Sequence, residues 1–284
     1  MPTASITAWV DASIDQPTRE LRQAVHTILV AVATAPRLPK LLVLKGGILL
    51  ALRYGGDRYT RDIDFSMKET PREADVEGVV AELRSALVLA VESLDYGLDC
   101  RVQHHELRPA DPTKNWPTLQ TTVGYAPKLD RSRSTRLYRG EAPEVVSLDV
   151  SYNEVITAVE IVNIAGGGDI RTSTLSDLLA EKFRAMLQQS QRRRTRRQDL
   201  YDLYRLLTPA VREDRDLQRL VLSALREKSS GRDLLVSRES LQQPDIRVRS
   251  KAEYHLLFAE IASELPDFDE AYTVAQEYYE GLPW

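Results

Sequence analysis

Two aspartates two residues apart, Asp62 and Asp64, stand in the run Arg61-Asp62-Ile63-Asp64-Phe65. In a β-strand successive side chains alternate, so both carboxylates share one face while Ile63 and Phe65 share the other. Upstream lies Gly46-Gly47, after the apolar run Leu41–Leu44. Glycines allow backbone N–H groups to approach a phosphate closely at a helix N-terminus. Mg²⁺ takes oxygen ligands and often uses one or two carboxylates plus the phosphates of a nucleotide. The set suits a Mg²⁺-bound nucleoside triphosphate. A third carboxylate, Asp149, falls mid-strand in Glu144–Tyr152, on the face with Val145, Ser147 and Ser151 and opposite Val146, Leu148, Val150 and Tyr152. If this strand lies beside the first, the three carboxylates converge and can hold two Mg²⁺ ions, one on the attacking oxygen and one on the triphosphate. Taken alone, Asp149 reads as a solvent-facing residue; beside Asp62 and Asp64 the ligand reading is preferred.

Cations come next. Lys182 interrupts an apolar helical stripe of Leu175, Leu178, Leu179, Met186 and Leu187. A lysine there either snorkels to water or serves a site, and a triphosphate needs a cation. An apolar residue suits the stripe, so Lys182→Met is expected to keep or raise the melting temperature. Asp199 and Asp202 flank a later stripe (Leu200, Leu203, Tyr204, Leu207) one turn apart. Arg131, Arg133, Arg136 and Arg139 form one basic cluster, and Arg192, Arg193, Arg194, Arg196 and Arg197 another. In a chain of formal charge −4 such clusters point to local polyanion contact or to two solvated loops.

These residues need elements to hold them. The 284 residues suffice for a sizeable core and two domains. The spacing predicts a loose start over 1–15, a helix from Pro17 to the prolines Pro36 and Pro39, and a strand at Leu41. A short helix follows the glycines, and a strand carries Asp62 and Asp64. A single helix runs from Pro71 to about Val91, and strands occupy 98–107 and 119–126. Asp111-Pro112 and Asn115-Trp116-Pro117 mark a loop between those strands, and Arg131–Arg139 another loop. Gly166-Gly167-Gly168 is expected to end the first domain. Beyond it the pattern is helical, with capping boxes at Thr174–Asp177 and Ser250–Glu253, helices near Asp216–Leu225, Lys251–Ser263 and Asp267–Glu280, and a stop at Gly281. The one cysteine, Cys100, excludes an intrachain disulfide, and His26, His104, His105 and His255 lack metal-ligand spacing. No signal peptide and no bilayer-length apolar run is found, so a reducing cytoplasm is the default.

The ordered set of Leu44-Lys-Gly-Gly47, Arg58-Tyr-Thr-Arg-Asp-Ile-Asp-Phe65, Ser147-Leu-Asp-Val-Ser-Tyr152, Ala180-Glu-Lys182 and Asp199-Leu-Tyr-Asp202 resembles the polymerase-β-like nucleotidyltransferases. Within them it is similar to the AbiEii branch of type IV toxin–antitoxin systems, including MenT-type toxins that modify tRNA. The resemblance runs from Leu38 to about Leu207. It implies an α/β nucleotidyltransferase core, residues 1–168, followed by a helical domain, residues 169–284, that closes over the nucleotide. It implies transfer of NMP from an NTP to an RNA acceptor, in particular a tRNA 3′ end, with an antitoxin as partner. Asp62, Asp64 and Asp149 would bind Mg²⁺, and Gly46, Gly47 and Lys182 the triphosphate. Asp199, in preference to Asp202, would orient Lys182 or a group of the nucleotide, and Arg131, Arg133, Arg136, Arg193, Arg194 and Arg196 would meet RNA phosphates. The wider superfamily has Gly-Ser where this chain has Gly46-Gly47, so triphosphate binding must rest on backbone N–H groups, Lys182 and Mg²⁺. Thr60 falls where some relatives carry a regulatory phosphate, whose charge beside the carboxylates would repel a nucleotide. Two other readings stay open: transfer to a small molecule, as in antibiotic-modifying enzymes of the same fold, and a non-catalytic RNA- or protein-binding scaffold.

Overall fold

Alternation of apolar and polar residues along its strands sorts the sheet into a buried and a polar face. The structure, a computed structural model, describes residues 5–110, 115–192 and 195–284. Arg193, Arg194 and the Asp111-Pro112 pair lie outside the described residues. The chain divides into two compact units. The first comprises residues up to Gly55, Thr60–Glu154 and Val159–Thr172, and the second Gly56–Tyr59, Val155–Ala158 and Ser173–Trp284.

In the first unit, helix α1 (Ile6–Asp11), capped by Ser5, occupies part of the expected loose start. Helix α2 (Gln16–Thr34) is capped by Asp15, whose carboxylate accepts from the Thr18 N–H. A helical turn, α3 (Leu38–Leu41), stands where a strand was expected to begin, and strand β1 covers only Val43–Lys45. Pro39 explains the shift, because proline fits the first turn of a helix and lacks the N–H a strand ladder needs. Helix α4 (Gly46–Arg53) starts directly on the glycines, and strand β2 (Asp62–Ser66) carries the two aspartates. The single helix expected from Pro71 is two: α5 (Pro71–Ala74) and α6 (Val76–Ser93), broken at Asp75, which adopts φ +55° and caps α6 through Gly78 N–H. Strands β3 (Leu98–Arg108) and β4 (Thr118–Pro127) follow. The arginine-rich stretch expected as a loop is helix α7 (Arg131–Tyr138), capped by Asp130 on Arg133 N–H. Strand β5 (Val145–Ser151) completes the acidic set. Gly166–Gly168 turn the chain between strands β6 (Val159–Ile164) and β7 (Gly168–Ser173), a pair missed in the sequence.

Among the described residues the sheet has seven strands in the order β3-β4-β5-β2-β1-β7-β6. Strand β2 pairs parallel to β5 and antiparallel to β1. Ile63, Phe65, Val146, Leu148 and Val150 are 0–2% exposed. Leu148 and Val150, with Leu119 and Thr121, face Val32 of α2 and Val79, Val80 and Leu83 of α6 across a narrow apolar gap. The other face carries Asp62, Asp64, Ser147 and Asp149.

The second unit is helical. Helix α8 (Leu175–Leu187) is capped by Thr174 on Asp177 N–H, while the Asp177 carboxylate accepts from Thr157 and pairs with Lys228 at 3.1 Å. Helices α9 (Gln189–Arg192), α10 (Arg197–Leu206), α11 (Pro209–Glu213) and α12 (Arg215–Ser230) follow. The helix expected over Lys251–Ser263 is not there: α13 (Pro244–Lys251) ends at Lys251 and a 3₁₀ segment covers Tyr254–Ala259. Ser250 caps nothing; it is buried inside α13, where its hydroxyl accepts from Gln189. Helix α14 (Phe268–Glu280) stops at Gly281 as expected.

The two faces of β2 predict opposite outcomes for neighbouring substitutions. Ile63→Ala removes a fully buried side chain and should cost about 2–5 kcal/mol of unfolding free energy. Asp62→Ala, on the exposed face, should cost far less. Urea denaturation midpoints of the two variants check this, and equal losses would contradict the assigned faces.

Candidate active site

Strand register builds the acidic group of the first unit. Asp64 lies opposite Asp149 across the parallel β2–β5 pair, and Asp62 opposite Ser147. Gln120 lies opposite Asp149 on β4, and Lys45 opposite Asp64 on β1. One transverse row therefore reads Gln120, Asp149, Asp64, Lys45, all on the polar face. The Asp149 carboxylate accepts from the Gln120 amide at 3.3 Å and from the Ser147 hydroxyl at 3.2 Å. Asp64 lies over Gly46, where a Cβ would fall 2.1 Å from Asp64 Oδ2; Gly46 also has φ +70°. Only glycine meets both demands, and this places the Asp64 carboxylate beside the start of α4. The Lys45 side chain does not cap that helix. Thr60 Oγ1 stands 3.4 Å from the Asp62 N–H.

The donors suit Mg²⁺ in kind, being carboxylate oxygens on one face of adjacent strands. Among the described residues no group of three or more acidic, histidine or cysteine side chains is gathered tightly enough to hold a metal ion. The backbone thus brings the three aspartates to one face of the sheet.

The second unit carries a chain of charges. Lys182 Nζ lies 2.6 Å from Asp202 Oδ2 and 3.2 Å from Asp199 Oδ1. Arg58 Nε lies 3.4 Å from Asp202 Oδ1, and Arg196 Nη1 lies 3.6 Å from Asp199 Oδ2. Lys182 and Asp202 are buried. Burial alone would lower the lysine's pKa, but the charges of Asp202 and Asp199 outweigh it and hold it above 10.5. Both acids therefore contact Lys182, Asp202 more closely. The lysine does not snorkel. Arg58, quoted in the sequence motif without a role, reaches this cluster because Gly56–Tyr59 belongs to the second unit. Tyr59 N–H donates to Glu260 O at 2.7 Å, Tyr201 OH to Asp57 Oδ1 at 2.6 Å, and Ser263 N–H to Asp57 Oδ2 at 3.1 Å.

The basic clusters are placed unevenly. Arg131, Arg136 and Arg139 are exposed on and just after α7, whereas Arg133 is paired with Glu20 at 2.8 Å. Arg192 is exposed, Arg196 half-buried, and Arg197 pairs with Glu253 and Glu260.

A mixed sheet whose adjacent strands carry paired aspartates beside a glycine-started helix is the core of a nucleotidyltransferase. The family described as nucleotidyl transferase AbiEii toxin, type IV TA system, matches residues 27–274, and the chain belongs to it. It is a nucleotidyltransferase of that toxin family, which implies a nucleotide substrate and an antitoxin. No curated protein sequence matches it. Its fold is similar to that of JHP933 from Helicobacter pylori, at 17% identity and a TM-score of 0.54, covering 94% of this chain and 92% of that one. It is similar also to MenT4, a nucleotidyltransferase toxin from Mycobacterium tuberculosis, at 14% identity and a TM-score of 0.54, covering 96% of this chain and 87% of that one. No helix of the described residues is long and apolar enough to cross a membrane.

Lys182→Met is now expected to destabilise, against the expectation from the apolar stripe. It leaves Asp202, 4% exposed, with Arg58 as its one ion-pair partner among the described residues. Breaking a buried pair from one side costs about 3–5 kcal/mol. Adding Asp202→Asn should recover part of the loss. The lysine's raised pKa adds stability that is complete below pH 10.5 and lost as pH climbs past it. Thermal melts of the single and double variants at neutral and alkaline pH test both points.

Proposed function

We propose that this chain transfers a nucleoside monophosphate from an NTP to the 3′ end of an RNA, a tRNA in the first instance, and thereby stops translation and growth. The observation that carries the reading is the pairing of Asp64 with Asp149 in register, with Asp62 on the same face, in a member of a nucleotidyltransferase toxin family. The acceptor oxygen bonds to the α-phosphorus, the bond from that phosphorus to the α,β-bridging oxygen breaks, and pyrophosphate leaves. Asp62, Asp64 and Asp149 would hold Mg²⁺, two ions on this reading, which supplies positive charge to the triphosphate and the attacking oxygen. Asp149 takes the acceptor proton. The N–H groups at Gly46 and Gly47 and the ammonium of Lys182 bind phosphate oxygens, and Asp199 and Asp202 orient Lys182. The exposed arginines of α7, with Arg193, Arg194 and Arg196, meet RNA phosphates. A phosphate on Thr60 would set negative charge beside Asp62 and oppose nucleotide binding. The work falls in the cytoplasm, where NTPs and tRNA are, with a cognate antitoxin restraining it.

Incubation with total RNA and each labelled NTP in turn, with Mg²⁺ or with EDTA, tests the reading. Labelled RNA of tRNA size, only with Mg²⁺, is expected. Label in small molecules with none in RNA would move the assignment to the small-molecule alternative, and no NTP consumption at all would leave a binding scaffold. Asp64→Ala should abolish transfer while keeping the melting temperature, since removing one of two adjacent carboxylates relieves repulsion.

Charge reversal at Arg131 and Arg136 should weaken RNA binding and flatten its dependence on salt, with NTP binding unchanged. Filter binding across a salt titration reads this, and an unaltered slope would remove α7 from the RNA surface.

A further inference from the structure

Lys45 stands inside the Leu44-Lys-Gly-Gly47 run, yet neither the sequence reading nor the family description gives it a role. Register puts it directly across from Asp64, so its Cβ stands roughly 4.5–5.5 Å from that of Asp64 on the same side of the sheet. It immediately precedes α4 and is half-buried. Its side chain makes no hydrogen bond or ion pair with any described residue. Other cations near carboxylates in this protein are engaged: Arg53 with Glu160, Arg133 with Glu20, Lys182 with Asp202 and Lys228 with Asp177. An ammonium on the acidic face with no anion among the described residues in contact is poised for an anion that arrives. Asp64 beside Lys45 is the carboxylate expected to carry metal, and a metal-bound triphosphate brings its oxygens to the same row.

We propose that Lys45 binds the β- and γ-phosphates of the incoming NTP and stabilises the pyrophosphate as it leaves. The inference rests on the nucleotidyltransfer reading given above. When the α-phosphorus bond to the bridging oxygen breaks, a negative charge develops on the departing pyrophosphate, and Lys45 neutralises part of it without giving up its proton. A purely structural role is the competing account: Lys45 would only offset the repulsion between Asp64 and Asp149.

The two accounts separate by binding. Inorganic pyrophosphate is titrated calorimetrically, in EDTA, into the full-length wild type, Lys45→Met and Lys45→Arg, alongside thermal melts and Mn²⁺ titration. The proposal expects pyrophosphate affinity to fall about 10- to 100-fold in Lys45→Met, to recover in Lys45→Arg, and melting temperature to stay level. It expects KM for NTP to rise and kcat to fall in Lys45→Met. Unchanged pyrophosphate affinity in Lys45→Met, with tighter Mn²⁺ binding or a lowered melting temperature, would overturn it in favour of the structural role. Wild type that binds pyrophosphate through Lys45 but transfers no nucleotide would retain the phosphate site and reject the transferase reading. Wild type that binds neither pyrophosphate nor NTP would overturn both.

Discussion

Two carboxylates held side by side, Asp64 and Asp149, are the constraint from which the first unit's arrangement follows. Like charges opposite one another destabilise a sheet. At a separation of about 5 Å and an effective dielectric between that of a protein surface and water, the repulsion is about 1–3 kcal/mol. The same two strands bury Ile63, Phe65, Leu148 and Val150 on their reverse face, each almost wholly. Burial of such side chains contributes about 1.5–3 kcal/mol apiece, so the apolar face outweighs the charge cost. It also sets the register, because a one-residue slip would turn all four into water. Gln120 and Ser147 then donate to Asp149, while Gly46 leaves room for Asp64. The polar groups of this face are thus arranged by packing behind them.

The second unit solves a different problem. Its central anion, Asp202, is buried and shared by Lys182 and Arg58. Alternation of sign along Arg58, Asp202, Lys182, Asp199 and Arg196 lets each buried charge see an opposite neighbour. Lys228 repeats the device with Asp177 and the Val155 carbonyl. Burial of lysine in these helices is therefore a matter of paired charges, which an apolar stripe in the sequence does not disclose.

Legibility followed the strength of local patterning. Strands β2 and β5 were readable because alternation in Asp62–Ser66 and Val145–Ser151 is unbroken, and the long helices because their stripes are wide. Helix α7 has little signature in the sequence because it buries only Leu137 and carries arginines elsewhere, leaving the Asp130 cap as its one local signal. Strands β6 and β7 are hard to discern in the sequence, since Val159 and Ile161 are exposed and the glycines between the strands look like a linker. At the site, the aspartates and Lys182 stood out by residue type. Gln120, Lys45 and Arg58 did not, because their significance depends on which residue lies opposite. That is a property of register and tertiary contact that a linear reading lacks. The Ser250–Glu253 signal misled because its serine serves Gln189 instead of a helix end.

The second unit is assembled from three separated pieces of chain, Gly56–Tyr59 and Val155–Ala158 among them. Those eight residues give Asp57 to Tyr201 and Ser263, Arg58 to Asp202, Thr157 to Asp177 and a carbonyl to Lys228. The C-terminal helices are consequently not a transplantable cassette. A chimaera joined at Ser173 would bring in Tyr201, Asp202 and Lys228 and leave their partners to be supplied by loops from a different parent. Exchange of helical halves between relatives therefore has to carry two short insertions from the other end of the gene, and lineages of such toxins should diversify by point substitution more readily than by shuffling.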